Sequence, residues 1–164
     1  MAFVNPNQVS EIDLALDGAD QVEEGTLDLI KGGGAAMLRE KVVAAAAKRF
    51  IVVIDERKLA NGLGIDQQVP VEVVPYASRV VMKRILEIGG RPTLRCGKMK
   101  AGPVVTDNGN FVIDADFGSI EDPSALENQL KSIPGLVETG LFLKMTDRVY
   151  VGCKDGTVRI LEPA

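Results

Sequence analysis

The sequence predicts an α/β protein with two lobes, a Rossmann-like parallel-sheet lobe and a smaller ferredoxin-like α+β lobe. Three observations predict it. An apolar run closed by Asp17-Gly18-Ala19-Asp20 is followed by a triple-glycine turn, a breaker-free helical stretch and a β-branched run, the order of a parallel crossover. From Val69 onward the pattern reads β-α-β-β-α-β, the split-βαβ order. No apolar run approaches the ~20 residues that a membrane helix needs. On this reading residues 1–68 and 141–164 form the parallel-sheet lobe, and residues 69–140 the smaller one.

The elements follow in order. Ile12, Leu14 and Leu16 alternate with Asp13, Ala15 and Asp17, a strand pattern that ends in a turn. Leu27 to Ile30 is a short apolar run closed by Lys31-Gly32-Gly33-Gly34. Ala35 to Arg49 is rich in strong helix formers. Phe50 to Ile54 reads as a strand covered on both faces. Val71 to Val74 predicts a strand, Ala77 to Ile88 a helix stopped by Gly89-Gly90, and Pro92 to Cys96 another strand. Val104 to Thr106 and Phe111 to Asp114 flank Asp107-Asn108-Gly109-Asn110, a hairpin signal. Asp122-Pro123 opens a helix with Leu126, Leu130 and Ile133 on one face, and Leu136 to Phe142 supplies a strand. Arg148 to Cys153 and Thr157 to Leu161 form two last strands around Lys154-Asp155-Gly156.

Composition excludes several function classes. The 19 Lys+Arg against 23 Asp+Glu give a net charge of −4, so nothing global attracts the chain to nucleic acid or anionic membrane. Met1 to Ser10 holds no basic residue and no apolar leader core, which points to the cytoplasm. There is no histidine, which removes imidazole bases, His triads and HExxH zinc sites. Cys96 and Cys153 lack CxxC spacing and are expected as small, buried or half-buried free thiols. Any chemistry must come from carboxylates, lysines, hydroxyls and backbone amides.

Candidates of those types cluster. Lys31-Gly32-Gly33-Gly34 lies between a strand and a helix, where glycines admit a ligand to the backbone and helix-start amides face anions. It is neither a P-loop nor a dinucleotide turn, since the lysine precedes the glycines and Met37 stands where GxGxxG needs a small residue. Asp17 and Asp20 end a strand, the edge where open α/β sheets collect ligands, and suit neighbouring sugar hydroxyls. Glu40 follows Lys31 by nine residues, two turns into the helix, and Lys58 follows the strand that ends at Asp55. Together they make a histidine-free proton-transfer set.

Asp17-Gly18-Ala19-Asp20 and Lys31-Gly32-Gly33-Gly34-Ala35-Ala36-Met37-Leu38-Arg39-Glu40-Lys41 resemble the two signature motifs of the ribose-5-phosphate isomerase A family. The likeness continues through Phe50 to Asp55, Val69-Pro70-Val71-Glu72-Val73, Gly89-Gly90-Arg91-Pro92, Val105 to Asn110 and Gly140-Leu141-Phe142. The resemblance implies interconversion of ribose 5-phosphate and ribulose 5-phosphate in the non-oxidative pentose phosphate pathway, without metal or cofactor, by a dimer or tetramer. It implies that Glu40 is the base acting through an enediolate, and that Lys31 with the amides of Gly32, Gly33 and Gly34 stabilises the oxyanion. Asp17 would assist ring opening, Asp20 with Gly18 and Ala19 would hold hydroxyls, and Lys58 would bind the sugar phosphate.

The chain departs from the pattern at three places. Gln21 stands where the family has glutamate, Ala35 replaces a fourth glycine, and the family's first strand with its Gly-x-Gly-Thr-Gly-Ser-Thr phosphate loop is not seen. The parallel-sheet lobe is therefore expected to be N-terminally incomplete and to expose apolar surface. The alternative is a truncated, non-catalytic paralogue that binds a sugar phosphate or a full-length partner.

Overall fold

The computed structural model describes residues 8–9, 11–97 and 101–163, so the reading of Met1 to Ser10 falls mostly outside the described residues. In chain order the first elements are β1 (Ala15–Asp17), β2 (Gln21–Glu23), β3 (Leu29–Ile30), α1 (Met37–Ala46), β4 (Phe50–Asp55) and β5 (Leu59–Ala60). Next come β6 (Val69–Val73), α2 (Ser78–Glu87), β7 (Arg91–Leu94), β8 (Phe111–Asp116) and α3 (Pro123–Lys131). The last are β9 (Leu136–Thr139), β10 (Leu141–Phe142), β11 (Arg148–Gly152) and β12 (Val158–Leu161).

Among the described residues the strands form three four-stranded sheets. In the order β1-β4-β11-β12, the first three strands are parallel and β12 returns antiparallel. The order β7-β8-β6-β9 is wholly antiparallel and has the split-βαβ arrangement, with α2 and α3 as its two crossovers. A small third sheet, β10-β3-β2-β5, joins the other two. One core gathers Val22, Leu29, Met37, Phe50, Val52, Phe142, Val149 and Val151. A second gathers Val69, Val71 and Val73 of β6 with Val81, Ile85, Ile113 and Leu130. Pro70 and Glu72 alternate with those valines and face the other way.

Local chemistry explains the boundaries. Asp122 accepts the N–H of Ala125 at 2.9 Å and Pro123 opens α3, a capped start of the kind the sequence signals. The Asp107–Asn110 turn closes with Thr106 N–H bonded to Asn110 O at 2.8 Å. Its first arm is only an isolated bridge from Val105 to Phe111, not a strand.

Five expectations need correction. The alternation in β1 has the opposite phase: Ala15 is buried, whereas Leu14 and Leu16 are 46% and 64% exposed. β4 is likewise not covered on both faces, because Val53 is 57% exposed. Val53 pairs with Tyr150, which pairs with Ile160, so one face of the parallel sheet is apolar and open. Leu136 to Phe142 is not one strand; it breaks at Gly140, where the chain passes from the antiparallel sheet to the small one. The helix starts at Met37, after Ala35 at φ 64°, so Glu40 sits in its first turn rather than two turns in. Cys96 is exposed and only Cys153 is half-buried, both free thiols.

Candidate functional site

The site forms where β1 ends and the small sheet begins. Asp17 is the last residue of β1, and the next three residues carry the chain into β2. The N–H of Asp20 bonds Ile30 O at 2.9 Å, which fixes the acid turn against the end of β3. Lys31 follows β3 directly; its N–H bonds Gly140 O at 2.8 Å, and Gly140 N–H bonds Pro70 O at 2.7 Å. Gly140 thus stitches β3 to β6. An added Cβ there would lie 2.2 Å from Lys31 O and 2.8 Å from Pro70 Cδ, which leaves room for glycine alone.

Lys31 is the centre of the cluster. Its side chain is 4% exposed, and its ammonium donates to Gly18 O at 2.6 Å and lies 2.9 Å from Asp17 Oδ2. Glu40 Oε2 is 3.2 Å away, an ion pair lying off the hydrogen-bonding direction, so that this buried oxygen has no hydrogen bond among the described residues. The Phe142 ring lies under the ammonium, 5.5 Å from its centroid, within cation–π range. Asp17 Oδ1 accepts the Gly18 N–H at 2.8 Å, so both its oxygens are held. A buried cation flanked by two carboxylates is tolerable only while all three are present, since breaking such a set leaves uncompensated buried charge.

The glycine turn closes the other side. Gly33 N–H donates to Asp20 Oδ2 at 2.7 Å, and Ala35 N–H closes the turn on Gly32 O at 2.9 Å. A cleft of about 190 Å³ is lined by Gly18, Ala19, Asp20, Lys31, the three glycines and Glu40. The structure therefore brings together nine of the ten residues singled out from the sequence: eight line the cleft, and Asp17 joins them through its ion pair with Lys31. Lys58 stands apart from it. It lines a larger adjoining cleft of about 640 Å³, which shares Asp20 and also meets Gln21, Arg57 and Asn61. Arg57 there is engaged by Asp55, whose carboxyl it holds at about 2 through side-chain and backbone hydrogen bonds.

Sequence reasoning missed several residues that build this site. Gln21 is buried, and its amide accepts from Gly64 N–H and donates to Ile65 O, both at 2.7 Å, pinning the wall of the larger cleft. A carboxylate could make the first bond but not the second, which accounts for glutamine here. Arg39 and Lys41, on either side of Glu40, tie α1 to the antiparallel sheet. Arg39 reaches Asn108 Oδ1 and Asp107 O; Lys41 reaches Glu138 and Glu127. Arg95 reaches the glycine turn from more than sixty positions away. No local pattern marks contacts at such separations. Arg39, Lys41, Gly140 and Phe142 lay within quoted motifs, and Gln21 was marked as a departure, but none of them there had a role.

A family profile described as Ribose 5-phosphate isomerase A (phosphoriboisomerase A) matches residues 1–156. Among curated proteins, a Ribose-5-phosphate isomerase A of Methanosarcina acetivorans is 54% identical over 154 residues, 94% of this chain and 64% of that protein. One of Natronomonas pharaonis is 57% identical over 88% of this chain and 62% of its own length. The chain thus spans somewhat under two thirds of these relatives. The solved ribose 5-phosphate isomerase A of Methanocaldococcus jannaschii superposes with a TM-score of 0.91 at 48% identity, over 97% of this chain and 69% of that one. A D-ribose-5-phosphate isomerase in complex with phospho-erythronic acid superposes with a TM-score of 0.92 at 45% identity, over the same shares.

Proposed function

The chain belongs to the ribose 5-phosphate isomerase A family, and on that premise we propose that its cleft interconverts ribose 5-phosphate and ribulose 5-phosphate through an enediolate. The observation that carries this reading is the Asp17–Lys31–Glu40 cluster, a carboxylate base and a buried ammonium facing one small polar cleft.

The arrangement of the cleft supports the following steps. Glu40 takes the proton from C2 of the open-chain aldose; the C2–H pair forms the C1=C2 bond, and the carbonyl pair moves to O1. Lys31 and the turn amides meet the charge on O1, and donors preorganised in this way contribute about 3 kcal/mol each to barrier lowering. Glu40 then returns the proton to C1 as the C2 hydroxyl passes its own proton to O1, so that C1 is reduced, C2 is oxidised and no outside oxidant is needed. Because Gly33 N–H is engaged by Asp20, the oxyanion falls to Lys31 and the remaining turn amides. Asp17 holds Lys31 in place and assists ring opening, Asp20 orients a hydroxyl, and Lys58 draws the phosphate into the larger cleft. The phospho-erythronic acid held by one relative has the anionic character of the enediolate, which supports the reading.

Isomerisation in heavy water is the test. A solvent-exchanging proton relay places deuterium at C1 of the ribulose 5-phosphate formed; absence of any ketose would overturn the proposal. A second reading, a non-catalytic binder of sugar phosphate or of a full-length partner, draws on the open apolar face that carries Leu16, Val53 and Ile160. It predicts binding of ribose 5-phosphate without turnover.

A further inference from the structure

Arg95, between β7 and β8, crosses to the glycine turn. Its Nη1 donates to Gly32 O at 2.8 Å and to Gly33 O at 3.0 Å. Asp114 of β8 holds the same guanidinium in a two-pronged pair, Nε to Oδ2 at 2.8 Å and Nη2 to Oδ1 at 2.5 Å. Both side chains are more than four-fifths buried, 17% and 19% exposed. A fork so held has one orientation, and it presents its free edge to two consecutive carbonyls.

The consequence lies in the planarity of the peptide. In a trans peptide the N–H points opposite to the C=O, and the chain has no cis bonds among the described residues. Drawing Gly32 O and Gly33 O toward Arg95 therefore turns the N–H groups of Gly33 and Gly34 the other way. Gly33 N–H is seen to do this, since it meets Asp20 Oδ2 at 2.7 Å across the cleft. By the same planarity Gly34 N–H is turned to that side, and Gly34 lines the cleft together with Lys31. Two successive amides facing one way make an anion-binding concavity, and a cation on their carbonyls polarises both further.

We infer that Arg95, locked by Asp114, is a positioning residue that seats the Gly33 amide on Asp20 and thereby aims the Gly34 amide at the oxyanion of the reaction. This rests on the reading of the cleft as an isomerase centre. Arg95 touches no reacting atom, so its effect should fall on the transition state and the turn rather than on ground-state binding.

The test compares the wild-type chain with Arg95→Met, Arg95→Lys and the milder Asp114→Asn, each checked for folding by circular dichroism. The readouts are kcat and KM for ribose 5-phosphate, affinity for phospho-erythronic acid, and the backbone amide resonances of Gly33 and Gly34. Arg95→Met should lower kcat about 100-fold, as the loss of one oxyanion donor does, while KM stays within about threefold. Arg95→Lys, which keeps the charge and loses the fork, should recover only part, and both glycine resonances should move. Folded variants with unchanged kcat, or with unmoved glycine resonances, would overturn the inference. If the wild-type chain turns over no sugar, the isomerase reading fails, and the inference fails with it only if the resonances also stay in place.

Discussion

Lys41 and Glu138 form a buried ion pair, Nζ to Oε1 at 2.8 Å, that joins α1 to β9. The same ammonium reaches Glu127 at 3.2 Å and lies 5.0 Å from the centre of the Phe142 ring, the ring that also underlies Lys31. Because Lys41 adjoins Glu40 in sequence, this pair fixes the helix rotation that turns Glu40 toward Lys31. Replacing Lys41 by Met leaves Glu138 to Lys131 alone and takes the cation from Glu127, and should cost about 1–3 kcal/mol of stability, measured by urea denaturation.

The pair also sets an acid limit. Burial pushes the Glu138 carboxyl up, but hydrogen bonds from Lys131 and Lys41 outweigh it and leave the group below its ordinary value of 4.5. A carboxyl depressed in the folded state contributes stability that is present above its unfolded pKa and is lost as pH falls through the folded one. Stability should therefore fall below about pH 4.5, and Glu138→Gln should flatten that fall while lowering stability at neutral pH. Denaturation midpoints from pH 3 to 7 would show it.

Ala35 holds φ 64° at the place where the family's glycine run continues. A left-handed conformation costs an alanine roughly 1–2 kcal/mol, partly offset by the greater freedom of unfolded glycine. Ala35→Gly should stabilise the chain by about 0.5–1 kcal/mol, read as a higher melting temperature. A lower melting temperature would mean that the turn tolerates the methyl without strain.

Leu16 and Ala15 test the phase of β1. With Leu16 64% exposed, Leu16→Ser should change stability by less than about 0.5 kcal/mol and reduce binding of a hydrophobic dye. Ala15→Leu overpacks the core and should cost about 1–3 kcal/mol.

These two residues also show where the sequence was silent. Hydrophobic alternation reveals a strand but assigns its core face only when the other face is polar. In β1 the larger apolar residues lie on the open face, so the reading inverts. The break at Gly140 was hidden because residues on both sides are apolar and extended, and what separates them is contact with Pro70 and Lys31. The capped helix at Asp122 and the antiparallel βαββαβ order were legible because caps and turns act locally. So were the two site turns, since Asp17, Asp20, Lys31 and Glu40 fall within one crossover and fold onto one another. Arg95, Asp114 and Glu138 come from another sheet, and sequence separation concealed them.

The most direct measurement is turnover of ribose 5-phosphate by the purified chain beside its Glu40→Gln variant, which keeps the shape and loses the base. The account predicts ketose formation by the wild-type chain and a loss of at least about 100-fold in kcat in the variant, the scale of a positioned general base. Equal turnover by both would contradict it, as would a folded wild-type chain that binds the sugar phosphate and leaves it unchanged.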